Sequence, residues 1–323
     1  MYDMAALVAG VRLRDFYLDA EAMVRAQLRL HELVGQDIIC VGSDNFYIAE
    51  AFGCETTRSD EELPSLVAPP LGAIEDVYRL EVPNPGTQGR MPLMLEAIAL
   101  LRQAVGDEVA IRSPGTGPFA LASYFVGTQQ WLLDIGLAEG GFDAGKEAAV
   151  HYALGLATQA LIEFGKACFD AGADLIHCGD SLASCNVISP KTYKRYAWPY
   201  QKQVFDAWRA HGITGGLLHI CGNSSKVLDL YRDTGANLIE LDSAVDLADA
   251  WRHLEGAATI VGNVDTVTEL LQATPEETEA AARRCIKETG GRNFILGSGC
   301  ITPRNTPVEN VRTLVRVAHA HLF

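Results

Sequence analysis

The chain has 323 residues, 48% of them hydrophobic, enough for one large core and in the size range of a single α/β barrel of about 250 residues or more. Lys and Arg number 26 against 41 Asp and Glu, and the resulting net charge of -15 disfavours nucleic acid and anionic membranes as partners. No run approaches the roughly 18 apolar residues of a membrane span and the amino terminus lacks the basic start of a secretory signal; eight irregularly spaced cysteines suit reduced thiols in the cytoplasm better than a disulfide framework.

Short β-rich runs alternate with amphipathic segments from end to end. The first expected strand is Met1 to Ala5, followed by a helix over Ala20 to Leu33 and a second strand over Asp37 to Gly42. Residues Cys54 to Gln88 contain five prolines and no clear period, so they are expected to form a long loop over one face. A helix over Pro92 to Val105 precedes the strand Val109 to Arg112, and a long helix over Ala144 to Ala171 precedes the strand Asp174 to Cys178. Helix Pro190 to His211 leads to strand Gly215 to Ile220, helix Asn223 to Thr234 to strand Asn237 to Leu241, and helix Asp246 to Leu254 to strand Ala258 to Gly262. Helix Pro275 to Thr289, strand Asn293 to Leu296 and helix Pro307 to His319 complete the chain. Ser189-Pro190, Thr274-Pro275-Glu276-Glu277 and Thr306-Pro307 are helix starts, with proline where no amide is needed and acids at the positive end of the dipole. Eight alternations predict an all-parallel sheet, most simply closed as a TIM-type (β/α)8 barrel in a single domain over 1–323, with an open doubly wound sheet as the alternative.

In such a barrel the chemistry sits at the C-terminal strand ends, and these are polar here. Asp44, Arg112 with Ser113, Asp180 with Ser181, His219 with Cys221, Asp242, Asn263 with Asp265, and Cys300 follow successive strands. His219 and Cys221 are two apart on an extended segment, so their side chains share a face. With Cys300 across the mouth they make a three-ligand zinc site with one open position, the pattern of catalytic rather than structural zinc. Buried cysteines are often plain packing residues, which is the competing reading of the trio. Asp242 and Glu240 share a face, and the sequence leaves either free to be a fourth ligand. Asp44, Asp180 and Asp242 are also suited to capping helices. His177, Cys178 and Cys185 form a weaker alternative cluster, since adjacent strand residues face opposite ways; Arg112 and Arg304 are candidates for holding an anionic tail.

Taken together, these segments resemble the uroporphyrinogen decarboxylase superfamily over nearly the whole chain. The resemblance is carried by Ser43-Asp44 with Glu50-Ala51-Phe52-Gly53, by Gly117-Pro118-Phe119-Ala120-Leu121-Ala122-Ser123-Tyr124, by Ala171-Gly172-Ala173-Asp174 leading to Asp180-Ser181, by Gly262-Asn263-Val264-Asp265, and by Leu296-Gly297-Ser298-Gly299 through Asn310. The arginine-rich segment that holds porphyrinogen carboxylates in true decarboxylases has no counterpart in Met1 to Val11, and Ser298 stands where that branch has histidine. His219-Ile220-Cys221 and Cys300 are instead similar to the zinc signature of the corrinoid-dependent methyltransferase branch. That resemblance implies Zn²⁺ on His219, Cys221 and Cys300, methylcobalamin on a corrinoid partner protein, and a small methyl acceptor or donor. Asp180 and Asp242 are the candidate catalytic residues, orienting the substrate or tuning the zinc, and Asn223, Asn263 and Ser298 the candidate cofactor contacts. A thiol acceptor is the leading expectation; a demethylase loading cob(I)alamin, a decarboxylase, and a docking scaffold stapled by zinc are the rivals. A strand so close to the chain start departs from the family, whose relatives usually have a helical lead-in.

Overall fold

The structure, a computed structural model, describes residues 1–321. Its strands are β1 (Ile38–Cys40), β2 (Glu55–Thr56), β3 (Leu66–Ala68), β4 (Ala110–Arg112), β5 (Ile176–Gly179), β6 (Gly216–Ile220), β7 (Leu238–Leu241), β8 (Thr259–Val264) and β9 (Phe294–Ser298). β1 pairs in parallel with β4, β5 to β9 form a five-stranded parallel sheet in chain order, and a parallel bridge from Arg112 to Leu175 joins the two. Each stave is followed by helix, so the sheet curls as a TIM-type barrel with its helices outside.

Seven staves are present rather than eight among the described residues, because Tyr2–Ala9 is a helix and not the expected first strand. Its composition explains the difference: Met, Ala and Leu are strong helix formers, and the stretch through Ala6 has no β-branched residue. Gly10 closes the helix at φ 65°, donating to the carbonyls of Ala6 and Leu7. Met4, Ala5 and Ala6 are buried, and the helix packs on Ala20–Val34. No hydrogen bonds join β1 to β9 among the described residues, which leaves a seam at that point of the barrel. The segment after Cys54 is also more ordered than its prolines suggest. β2 and β3 pair antiparallel there, and Ile74–Arg79 forms a 3-10 helix. The helix expected over Pro190 to His211 is two helices, Pro190–Tyr196 and Trp198–Ala210, broken ahead of Pro199.

Inside the barrel, side chains stack in layers as the two-residue period dictates. Leu217, Leu238 and Val261, joined by Leu175 and Ile295, form an apolar lower layer. Two residues further along the same strands stand His177, His219 and Glu240, facing one cavity together with Arg112 from β4. The register pairs His219 with Glu240, whereas His177 pairs with Leu217 and Glu240 with Val261, so His219 and Glu240 are level on neighbouring strands while His177 is level with the apolar layer.

Candidate metal centre

The cavity, of about 240 Å³, is lined at the C-terminal strand ends by Ser181, Cys221, Ser298 and Cys300 and runs on past Leu217 and Leu238 to Gln36 and Asp37 before β1. Its defining feature is the junction of His219, Cys221 and Cys300, whose ligand atoms all lie within 4.8 Å of one another. His219 Nε2 is 3.1 Å from Cys221 Sγ, and the two sulfurs are 3.4 Å apart. Tetrahedral zinc with bonds of about 2.0–2.3 Å would space such donors roughly 3.5–3.8 Å apart, so the trio fits the ion after a small outward adjustment. Ser181 Oγ touches Cys221 Sγ at 3.3 Å.

The supporting shell orients these groups. His219 Nδ1 faces the Glu240 carbonyl at 3.1 Å and its carboxylate at 3.2 Å, which turns Nε2 towards the sulfurs. Glu240 is in turn gripped by Arg112, Nη1 to Oε1 at 2.6 Å and Nη2 to Oε2 at 2.8 Å, and Arg112 Nη2 also lies 2.9 Å from His177 Nε2. A carboxylate behind a metal-binding histidine fixes its tautomer and raises its basicity. Asp242 accepts from the Gly222 amide at 2.8 Å and the Ala244 amide at 2.9 Å, which ties the turn after Cys221 to the end of β7. Gly222 takes φ 78°, a conformation open to glycine, and a Cβ there would come within 2.5 Å of Asn186 Oδ1.

The protonation pattern follows from proximity. The hydrogen bond from Cys300, against burial and helped by His219, lowers the Cys221 thiol to about 4. The same contact, with burial, pushes Cys300 far up. Burial lowers His219, but the Glu240 carboxylate and Cys221 outweigh it and raise the imidazole to about 9. At neutral pH the metal-free trio is therefore one thiolate, one thiol and one imidazolium. Burial pushes Glu240 up, yet Arg112 and His219 outweigh that and hold it well below the usual carboxylate range.

The other expected residues fall in distinct places. Asp180 is fully buried and accepts from the Ala120 amide at 2.7 Å, the Phe119 amide at 3.3 Å and Gln201 Nε2 at 2.8 Å, so its carboxylate holds the start of helix Pro118–Ser123. Burial outweighs these donors and raises it to about 6. Asn263 is buried, with its amide donating to the carbonyls of Val245 at 2.9 Å and Asp242 at 3.2 Å. Ser298 lines the cavity and donates to the Cys300 carbonyl at 2.8 Å. Asn223 is exposed, its side chain accepting from the Ser225 amide at 3.0 Å. Arg304 reaches back to the Glu61 carbonyl at 3.5 Å, tying the segment after β9 to the excursion after β1. The mutual grip of Arg112 and Glu240 was not legible in sequence, since 128 residues separate them; its one signal is that both stand near strand ends.

The sequence pattern of the uroporphyrinogen decarboxylase (URO-D) family matches residues 1–321. Over 316 residues the chain is 32% identical to the methylcobamide:CoM methyltransferase MtbA of Methanosarcina acetivorans, covering 98% of this chain and 89% of that protein. It is 29% identical to a uroporphyrinogen decarboxylase of Carboxydothermus hydrogenoformans, over 93% of this chain and 83% of the other. Among solved structures it superposes on a methyltransferase from Methanosarcina mazei with a TM-score of 0.88 at 26% identity, covering 98% of this chain and 90% of that one. With its fold, its residues and these likenesses in agreement, the chain belongs to the uroporphyrinogen decarboxylase family, on its methyltransferase branch.

Proposed function

We propose that this chain moves a methyl group between a corrinoid carried by a partner protein and a small thiol, at a zinc ion held by His219, Cys221 and Cys300. The observation that carries this reading is the convergence of one imidazole and two sulfurs within 4.8 Å at the barrel mouth, in a chain similar to methylcobamide:CoM methyltransferases. Three protein ligands leave a fourth position for substrate, and zinc bound there supplies a Lewis acid that favours the thiolate form of an entering thiol near neutral pH.

The chain's own residues do the positioning. Glu240 and Arg112 hold His219 with Nε2 forward, Asp242 anchors the turn that carries Cys221, and Ser298 fixes the Cys300 backbone. In the exchange a sulfur–carbon bond forms, the cobalt–carbon bond breaks with its electron pair left on cobalt, and the thiol proton passes to solvent. Asp180 and Asp242 act through the elements they hold. In this reading Asn223, exposed on the turn after Cys221, contacts the corrinoid partner, whereas the amide of Asn263 is engaged with backbone carbonyls. No helix among the described residues is long and apolar enough to cross a membrane.

Stopped-flow absorbance with free cobalamin tests the reaction and its direction. The zinc-loaded protein should convert methylcobalamin to cob(I)alamin when a thiol is added. Methylation of cob(I)alamin by methoxylated or methylamine-type donors, with no thiol reaction, would assign the opposite role.

A further inference from the structure

Resting on the thiol reading above, the charges around the cavity narrow the substrate class. The charged or titratable side chains lining it, besides the two cysteine ligands and Cys40, are Asp37, Arg112, His177, His219, Glu240 and Tyr2. Asp37 is well exposed and pairs with His319 at 3.0 Å, away from the metal ligands. Arg112 is the single Lys or Arg in the lining among the described residues, and it is committed. Both of its terminal nitrogens meet Glu240, at 2.6 and 2.8 Å, with the two side chains only 13% and 12% exposed. Burial, reinforced by Arg112, holds His177 well below the usual histidine range, so it is neutral at pH 7.

Of the nearby arginines, Arg90 is enclosed by Asp44 at 2.7 Å and Glu50 at 2.8 Å, while Arg304 does not line the cavity and reaches the Glu61 carbonyl at 3.5 Å. Zinc with two thiolates and an imidazole is formally neutral. Beside the ligands the cavity is lined by the Asn45 amide, the Ser181, Ser298 and Thr302 hydroxyls and the Ile301 side chain. A sulfonate or carboxylate tail would meet no free Lys or Arg side chain in the lining among the described residues and would give up part of its hydration unpaired, which is unfavourable; an uncharged tail meets hydroxyl, amide and apolar groups that suit it. We propose that the acceptor is a small thiol with an uncharged tail, its sulfur at the His219–Cys221–Cys300 centre and its tail against Asn45, Ser181, Ser298 and Thr302.

Mercaptoethanol and mercaptoethanesulfonate have the same carbon spacing and similar thiol acidity, so they isolate the tail charge. Titrated calorimetrically into the zinc-loaded full chain, the neutral thiol should bind at least about tenfold more tightly, and kcat/KM for methylcobalamin demethylation should follow the same order. Equal or tighter binding of the sulfonate would overturn the proposal, as would the absence of binding by either thiol. The predicted binding preference without methyl transfer from either would uphold the substrate class and contradict the methyltransferase reading instead.

Discussion

At the scale of single residues, the site depends on a histidine whose two nitrogens have different tasks. Glu240 faces Nδ1 at 3.2 Å while Nε2 turns to the sulfurs, an arrangement that under the proposed zinc reading sets Glu240 behind His219. Glu240→Gln should therefore keep one zinc per chain at saturation but bind it about 10–100-fold more weakly in chelator competition. An unchanged affinity would remove Glu240 from the metal site. Protons report on the same trio. With Cys221 already a thiolate near neutral pH, and Cys300 and His219 protonated, zinc must displace a proton from each of the latter two. Affinity should then rise with pH, more steeply below about 9 than above it, and calorimetry near neutral pH in buffers of different ionisation enthalpy should count close to two protons released per zinc. The trio was legible in sequence because alternation puts His219 and Cys221 on one face and the family signature supplies Cys300. Glu240 was legible only as one of two acids at a strand end. Its partner Arg112 is set by folding, so the sequence reading of Arg112 as an anion holder missed that its charge is already taken.

At the scale of elements, the loops above the barrel are fastened by a buried ion triad. Arg90, just before helix Met91–Val105, donates to Asp44 after β1 and to Glu50 in the 3-10 helix Ala49–Phe52, and all three side chains are no more than 8% exposed. The Ser-Asp and Glu-Ala-Phe-Gly segments that signal the family thus hold structure here, and Ser43 joins the same cluster through Arg90 at 3.2 Å. Burial pushes Glu50 up, but Arg90 and Arg58 outweigh it and hold the group below its ordinary 4.5. A carboxylate lowered on folding contributes fully above pH 4.5 and loses that contribution as pH falls through the folded-state value. Glu50→Gln should cost about 2 kcal/mol at pH 7 in denaturant unfolding. The gap to wild type should shrink steadily below pH 4.5; a gap independent of pH would contradict the ionised triad. Sequence alone showed the acids but not Arg90, which lies 40 residues beyond Glu50 behind a proline-rich excursion without periodicity.

For the whole molecule, the parallel staves were legible because apolar runs of strand length ended in polar residues and were punctuated by helix starts. The seventh through first staves in reverse, β9 back to β1, fall where the pattern puts strands. The amino-terminal segment failed the same test because an apolar run of Met, Ala and Leu satisfies a helix as well as a strand, and Gly10 then caps it. Without that strand β1 and β9 are not paired with each other among the described residues, and every residue of β9 is half-buried where every residue of β6 is buried. The barrel nevertheless keeps the strand ends of β6, β7 and β9 close enough to unite His219, Glu240 and Cys300. That union is the central claim, and metal-dependent methyl transfer tests it most directly. Purified protein, its zinc-stripped form and Cys300→Ser should be assayed side by side for thiol-dependent loss of methylcobalamin absorbance. The account predicts about one zinc per chain and turnover in the first, at least about 100-fold slower turnover in the second with recovery on zinc addition, and loss of both metal and activity in the third. Full activity in the zinc-free protein would contradict it.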